Sequence, residues 1–124
     1  MIYLDTHVVV WLYLGDLLKF STPAKTAINA NELNISPIVA LELTYLHEIG
    51  RLKPSTEVVL AYLANRLRLK CCDIPFEKVI ASAMKQTWTR DPFDRIIVGH
   101  AAIKECDLVT KDEHIHNNYV HAIW

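Results

Sequence analysis

Three segments of the sequence begin with the same short motif, a small polar residue followed closely by proline. They are Ser21-Thr22-Pro23, Ser36-Pro37 and Asp91-Pro92. A polar N-cap side chain accepts hydrogen bonds from the first helical N–H groups, and proline suits the first helical turn because its missing N–H needs no partner there. Each motif therefore predicts the start of a helix, and the predicted helices cover residues 23–31, 37–49 and 92–104.

Short apolar segments alternate with helical ones along the chain. Strands are predicted at 1–4, 33–35, 70–74, 107–110 and 119–124, and further helices at 7–14, 54–69 and 76–87. This alternation predicts an α/β fold, in which helices cover both faces of a mostly parallel sheet of about five short strands. The length of 124 residues suits one three-layer domain spanning residues 1–124.

Composition excludes several classes of protein. Hydrophobic residues make up 52% and charged residues 22% of the chain, which indicates a globular rather than a disordered protein. The longest apolar run, Val8 to Leu14, is far shorter than the roughly 18 residues of a membrane span. No signal peptide is indicated, and Cys71, Cys72 and Cys106 lack disulfide or zinc spacing. We therefore expect a cytoplasmic protein with reduced thiols and no membrane association.

Five acidic residues fall where this fold would bring them together. Asp5 and Asp112 each follow a predicted strand, Glu42 lies in a helix that follows a strand, and Asp91 and Asp94 begin another helix. The carboxyl ends of parallel strands meet at one edge of the sheet, where binding sites form. Structural roles are the alternative, since Asp5 and Asp91 suit helix caps, Asp112 suits a turn and Asp94 matches the helix dipole.

Glu42 is the acid that is hardest to explain structurally, because apolar residues flank it on nearly every side of its helix. A buried carboxylate needs a partner, a proton or a metal. Two carboxylates about 4 Å apart repel by roughly 4 kcal/mol at an effective dielectric constant near 20, so an ionised cluster needs a cation. Oxygen ligands alone favour Mg²⁺ or Mn²⁺ over zinc, and such an ion suits hydrolysis of a phosphodiester.

Four segments resemble the PIN-domain family, and within it the VapC-type toxins of bacterial toxin–antitoxin pairs. They are Leu4-Asp5-Thr6-His7, Glu42 in its apolar helix, Arg90-Asp91-Pro92-Phe93-Asp94-Arg95, and Val109-Thr110-Lys111-Asp112. Their order and spacing extend over essentially the whole chain. The resemblance implies a Mg²⁺-dependent endoribonuclease that hydrolyses RNA, folds around a five-stranded parallel sheet and is inhibited by a cognate antitoxin.

The resemblance also implies a role for each matching residue. Asp5 and Asp94 would be the core metal ligands, while Asp112 and Glu42 would complete the acidic pocket, binding the ion or a second one or orienting its waters. Supporting positions would be held by Thr6, Thr110 and Asp91, the last mainly as a helix cap. The role of His7 is left open, because many relatives carry a small polar residue there.

Basic residues beside the predicted pocket are candidates for contacts with RNA phosphates, or are simply solvated charges. They are Arg90, Arg95 and Lys111. The net charge of −1 gives no overall basic field, so RNA binding would depend on such local contacts. Apolar residues in Val8–Leu14 and around Tyr62 are expected to support a homodimer.

Two other kinds of protein are compatible with the acids. One is a non-catalytic PIN-like module whose acidic pocket binds a basic segment of a partner. The other is a receiver-like domain that accepts a phosphoryl group, but this class needs paired acids at the end of the first strand, where Asp5 stands alone.

Overall fold

The computed structural model describes all residues from 1 to 124 and contains one five-stranded sheet. The strands are β1 (Ile2–Leu4), β2 (Leu33–Ile35), β3 (Lys70–Cys71), β4 (Leu108–Val109) and β5 (Ala122–Ile123). Every neighbouring pair is parallel, in the order β3-β2-β1-β4-β5. Strands β2 and β3 therefore extend the sheet on one side of β1, and strands β4 and β5 extend it on the other side. The predicted α/β fold is confirmed, and its switch point lies between β1 and β4.

Seven α-helices connect and cover these strands. They are α1 (Thr6–Leu14), α2 (Thr22–Ala30), α3 (Pro37–Glu48), α4 (Thr56–Leu67), α5 (Phe76–Ala83), α6 (Pro92–Ala102) and α7 (Glu113–Asn118), with a 3₁₀ turn at Leu17–Lys19. The cap-and-proline segments begin α2, α3 and α6 as predicted. Their N-caps are Ser21, Ser36 and Asp91, and each side chain accepts a backbone N–H of the first turn.

Four elements depart furthest from the prediction. Helix α7 was not predicted, because Ile115 is its only buried residue and no apolar periodicity marks it. Helix α5 ends at Ala83 rather than at residue 87, and the side chain of Arg95 donates to the carbonyls of Ala83 and Met84 at that end. Strands β3 and β5 are also shorter than predicted, with two residues each.

The core lies on both faces of the sheet. Strand residues Tyr3, Leu4 and Val109 are fully buried, and helices contribute Val9 and Leu43 among many others. Strands β1 and β4 are correspondingly apolar throughout, as parallel strands covered on both faces require. None of the helices combines the length and the apolarity needed to cross a bilayer.

Helices α5 and α6 approach each other most closely at Gly99. A Cβ atom on Gly99 would lie 2.7 Å from the backbone nitrogen of Ala83 and 2.8 Å from its Cα. We expect Gly99→Ala to lower the free energy of unfolding by about 1–3 kcal/mol, because overpacking outweighs the better helix propensity of alanine. Urea denaturation measures this change. Adding Ala83→Gly should restore little, since the closest atoms belong to the backbone, and a Gly99→Ala protein as stable as wild type would contradict the close approach.

Candidate active site

The register of β1 and β4 places Asp5 beside Thr110. Tyr3 and Leu4 pair with Leu108 and Val109, so the next residue of each strand, Asp5 or Thr110, lies at the same edge. The Thr110 hydroxyl donates to Asp5 Oδ2 at 2.6 Å, and the backbone N–H of Thr6 donates to Asp5 Oδ1 at 2.7 Å. Asp5 is thus the N-cap of α1, and both of its oxygens are held in place.

Thr6 provides the partner that Glu42 requires. Its hydroxyl donates to Glu42 Oε1 at 2.5 Å, while its backbone N–H contacts Asp5. Thr6 is fully buried, and Glu42 is half-buried. One threonine therefore positions two carboxylates from different elements, α1 and α3.

The start of α6 separates the roles of Asp91 and Asp94. Asp91 Oδ1 accepts from the backbone N–H groups of Phe93 at 2.8 Å and Asp94 at 3.3 Å, which confirms the predicted cap. Asp94 lies in the first turn with a half-buried side chain that makes no capping bond. Its carboxylate is therefore free to bind something else.

Asp112 also combines a cap with a position at the sheet edge. Its Oδ1 accepts from the N–H of Ile115 at 2.9 Å and begins α7. Its own N–H donates to the hydroxyl of Thr110 at 3.1 Å. Thr110 consequently links Asp5 and Asp112, as Thr6 links Asp5 and Glu42.

All five predicted acids line one cavity of about 280 Å³ at the switch point of the sheet. Its lining residues are Asp5, His7, Val8, Trp11, Glu42, Asp91, Asp94, Lys111 and Asp112. Thr6 and Thr110 lie behind this surface, with no exposed area. The structure therefore brings together the acids, the two threonines and Lys111.

Arg90 and Arg95 do not line this cavity. Arg90 donates to the carbonyls of Thr87 at 2.9 Å and Thr89 at 3.3 Å. Arg95 donates to carbonyls at the end of α5 at 3.3 and 3.2 Å. Both guanidinium groups thus have structural partners, and Lys111 is the only one of the three basic candidates that faces the acids.

His7 and Trp11 also line the cavity, whereas the sequence left the role of His7 open and placed Trp11 among the apolar residues expected to support a homodimer. They lie four residues apart on α1 and therefore share the helix face that begins at Asp5. This four-residue spacing could have indicated from the sequence that both side chains lie beside Asp5. Trp11 was overlooked because it belongs to an apolar run and resembles a core residue.

Burial raises the pKa values of three of the five acids in the cavity. Loss of solvation raises the pKa of Asp94 to about 7, and the charges of Asp91, Asp5, Asp112 and Glu42 add to the shift. Burial also raises the pKa values of Asp5 and Glu42, although hydrogen bonds from Thr110 and Thr6 oppose it. A cluster of this kind releases its protons most readily when a cation enters.

The donor set fits a magnesium ion better than a zinc ion. All candidate ligands in the cavity except His7 are carboxylate oxygens. No group of three Asp, Glu, His or Cys side chains lies in direct metal-binding geometry. Mg²⁺ commonly uses one or two carboxylates and keeps several waters, whereas protein zinc sites need three or four closely placed ligands. The site therefore suits a partly hydrated hard cation.

In the absence of divalent ions, we expect the free energy of unfolding to decrease as pH rises from about 4 to about 7. The folded protein holds a proton on Asp94 up to a pKa of about 7, whereas the unfolded chain releases it near 3.8. The free energy of unfolding that this proton contributes is therefore lost between pH about 4 and about 7, and it is on the order of 2 kcal/mol after allowance for solvent screening. Thermal unfolding in EDTA at several pH values measures it. Asp94→Asn should reduce the change of unfolding free energy with pH. An equal change in the variant and in wild type would show that Asp94 is not the group responsible.

This combination of a parallel sheet and acids at its switch point defines an α/β protein with an acidic pocket at the edge where such sheets bind their ligands. The sequence matches the PIN domain over residues 2–120. The chain therefore belongs to the PIN domain family. This membership excludes the receiver-like alternative.

Individual relatives agree with this family. The chain is 31% identical over 120 residues to Ribonuclease VapC22 of Mycobacterium tuberculosis, an alignment that covers 94% of this chain and 91% of that protein. VapBC2 from Rickettsia felis, solved bound to a DNA fragment from its promoter, matches with a TM-score of 0.67 at 21% identity, covering 95% of this chain and 93% of that one. A toxin–antitoxin complex from Klebsiella pneumoniae matches with a TM-score of 0.64 at 17% identity, covering 100% and 97%. The two structures share the fold of this chain.

Proposed function

We propose that this protein is a Mg²⁺-dependent endoribonuclease that hydrolyses RNA phosphodiester bonds as the toxin of a toxin–antitoxin pair. The observation that carries the proposal is the convergence of Asp5, Glu42, Asp94 and Asp112 on one cavity at the switch point of the sheet. The ribonuclease named among its relatives supports the same activity. The alternative, a non-catalytic module, would use the same acids only to bind a basic segment.

In the proposed reaction, Asp5, Asp94 and Asp112 would hold Mg²⁺, directly or through water, and Mn²⁺ could replace it. The ion would polarise the attacking water and neutralise charge on the phosphodiester. Glu42, placed by the Thr6 hydroxyl, orients the water and accepts its proton. As the water oxygen bonds to phosphorus, the bond from phosphorus to one ribose oxygen breaks, and that oxygen leaves with a proton taken from solvent. Lys111 contacts a substrate phosphate at the edge of the cavity.

Cleavage of small structured RNAs with Mg²⁺, with Mn²⁺ and with EDTA tests the activity. We expect products with either ion and none with EDTA, and restored cleavage when Mg²⁺ is added back. Asp5→Asn should be inactive with either ion. Equal cleavage by wild type and Asp5→Asn, or in EDTA, would show a contaminating nuclease and would refute the proposal.

We propose a cognate antitoxin as the protein partner. The matched solved structures from Rickettsia felis and Salmonella typhimurium are VapBC proteins. The matched structure from Klebsiella pneumoniae is a toxin–antitoxin complex. The acidic cavity is complementary to an Arg or Lys side chain, so one protein can bind both RNA and a basic antitoxin segment. A gene next to this one that encodes a small DNA-binding protein would be the candidate. Failure of its product to bind this chain or to inhibit cleavage would refute the pairing.

We also propose that the chain forms a homodimer in the cytoplasm. Exposed apolar side chains occupy two faces, one around the end of α1, the 3₁₀ turn that follows it and α4, and one formed by α3 and α5. They are Leu14, Leu18, Val58 and Tyr62 on the first face, and Leu41, Tyr45 and Phe76 on the second. Sedimentation of wild type, Leu18→Glu and Leu41→Glu would identify the face that a second copy covers, and a monomeric wild type would refute the dimer.

A further inference from the structure

An aromatic wall stands beside the carboxylates of the cavity. His7 and Trp11 both line it, and their ring centroids are 6.1 Å apart with an interplanar angle of 47°. His7 is exposed and Trp11 is partly exposed. Neither ring is needed to hold the acids, since Thr6 and Thr110 already do so.

Packing makes the indole of Trp11 a rigid part of this wall. Phe20 meets it edge-on with centroids 6.3 Å apart, and Trp124 lies 5.7 Å away. Phe20 is almost completely buried and belongs to the core. An aromatic surface that is anchored on one side and open to the cavity on the other loses little conformational entropy when it binds a ligand.

A cation lies against each of the two tryptophan rings. Lys19 Nζ lies 5.3 Å from the ring centroid of Trp11, and Lys111 Nζ lies 6.0 Å from that of Trp124. Lys111 also lines the cavity. In the order Lys19, Trp11, Trp124, Lys111, two neighbouring aromatic rings lie between two positive charges. Proteins that bind single-stranded nucleic acid combine these two features, using cations for the backbone and rings for the bases.

We propose that His7 and Trp11 form a nucleobase-stacking subsite for the nucleotide next to the scissile phosphodiester. Lys19 and Lys111 contact the phosphates on either side of that nucleotide. The inference rests on the proposed ribonuclease function and narrows its substrate to RNA that presents an unpaired base, because a base within a duplex has no free face to stack.

The test uses a short single-stranded RNA of mixed sequence and copies in which each nucleotide in turn is abasic. Binding is measured by fluorescence anisotropy with Mg²⁺ in an Asp94→Asn background, and cleavage is measured with wild-type acids. At one position, loss of the base should weaken binding by about tenfold, as expected for the loss of one stacking interaction. His7→Ala and Trp11→Leu should weaken binding of the intact RNA and remove this difference, whereas His7→Phe and Trp11→Phe should retain it.

His114→Ala is the matched control, because His114 is also exposed and packs on a tryptophan, Trp88 at 4.9 Å, but does not line the cavity. It should bind and cleave as wild type does. Thermal unfolding of every variant separates lost stacking from lost folding, and the exposed His7 keeps the test valid if Trp11→Leu unfolds.

The outcomes separate this subsite from the nuclease activity. Cleavage that is unchanged by His7→Ala, together with equal binding of intact and abasic RNA, would overturn the subsite and leave the nuclease in place. Base-dependent binding without cleavage would support the subsite and overturn the nuclease. Absence of both binding and cleavage would overturn both.

Discussion

Asp94→Asn is expected to reduce RNA cleavage by on the order of 10³-fold while raising the melting temperature of the metal-free protein at pH values above about 7, where Asp94 is ionised. The loss exceeds the 10- to 100-fold typical of residues that only support a metal ligand, because Asp94 is proposed to hold the ion itself. The gain in stability follows from relief of repulsion, since burial and four neighbouring acids raise the pKa of Asp94 to about 7. A single substitution should thus move activity and stability in opposite directions.

Two measurements establish this result. Initial rates of RNA cleavage with Mg²⁺ give the activity, and thermal unfolding with EDTA or Mg²⁺ gives the stability. Mg²⁺ should raise the melting temperature of wild type and have little effect on the variant, because only the wild-type cluster binds the ion well. Asp73→Asn is the control, since Asp73 is exposed and lies outside the cavity.

A lower melting temperature for Asp94→Asn in EDTA would contradict the electrostatic account. It would mean that the favourable interaction of Asp94 with the N-terminus of α6, worth about 0.3–1 kcal/mol, outweighs repulsion from the other acids. Asp94 would then be a residue that stabilises the helix. Its proposed role as a metal ligand, and the large loss of cleavage expected from it, would both be wrong.

Thr110→Val is expected to reduce cleavage by about 10- to 100-fold, although the side chain would not touch substrate. Thr110 donates to Asp5 Oδ2 and accepts from the N–H of Asp112, so valine removes a partner from each. Thr110 has no exposed area, so water cannot replace the hydroxyl, and the free energy of unfolding should fall by about 1–3 kcal/mol.

Thr110→Ser keeps the hydroxyl and is the matched control. It should recover most of the activity and of the affinity for Mg²⁺, which titration of thermal stability against Mg²⁺ concentration can report. Wild-type activity in Thr110→Val would show that the backbone alone positions Asp5 and Asp112.

The sequence was sufficient for the features that depend on neighbouring residues. The caps of α3 and α6 are made by atoms two or three residues away, and Asp91 caps as predicted. The alternation of strands and helices implies a parallel sheet because each strand must be followed by a crossover. That geometry alone places Asp5 and Asp112 at one edge, and Glu42 and Asp94 in the N-terminal halves of the helices beside it.

Features that depend on distant residues required the tertiary structure. Glu42 is paired with Thr6, 36 positions away, and Asp5 with Thr110, 105 positions away. The partners of Arg95 likewise lie on another helix. Such contacts depend on strand register and helix packing, which no local pattern specifies.

The sequence by itself therefore determined the α/β fold, the helix starts and the set of acids, because caps and strand periodicity act over a few residues. Only the tertiary structure decided which groups hold those acids, which cations face them and which rings stand beside them. The register of β1 against β4 and the packing of α1 along the sheet edge set these distances, and both result from the folding of the whole chain.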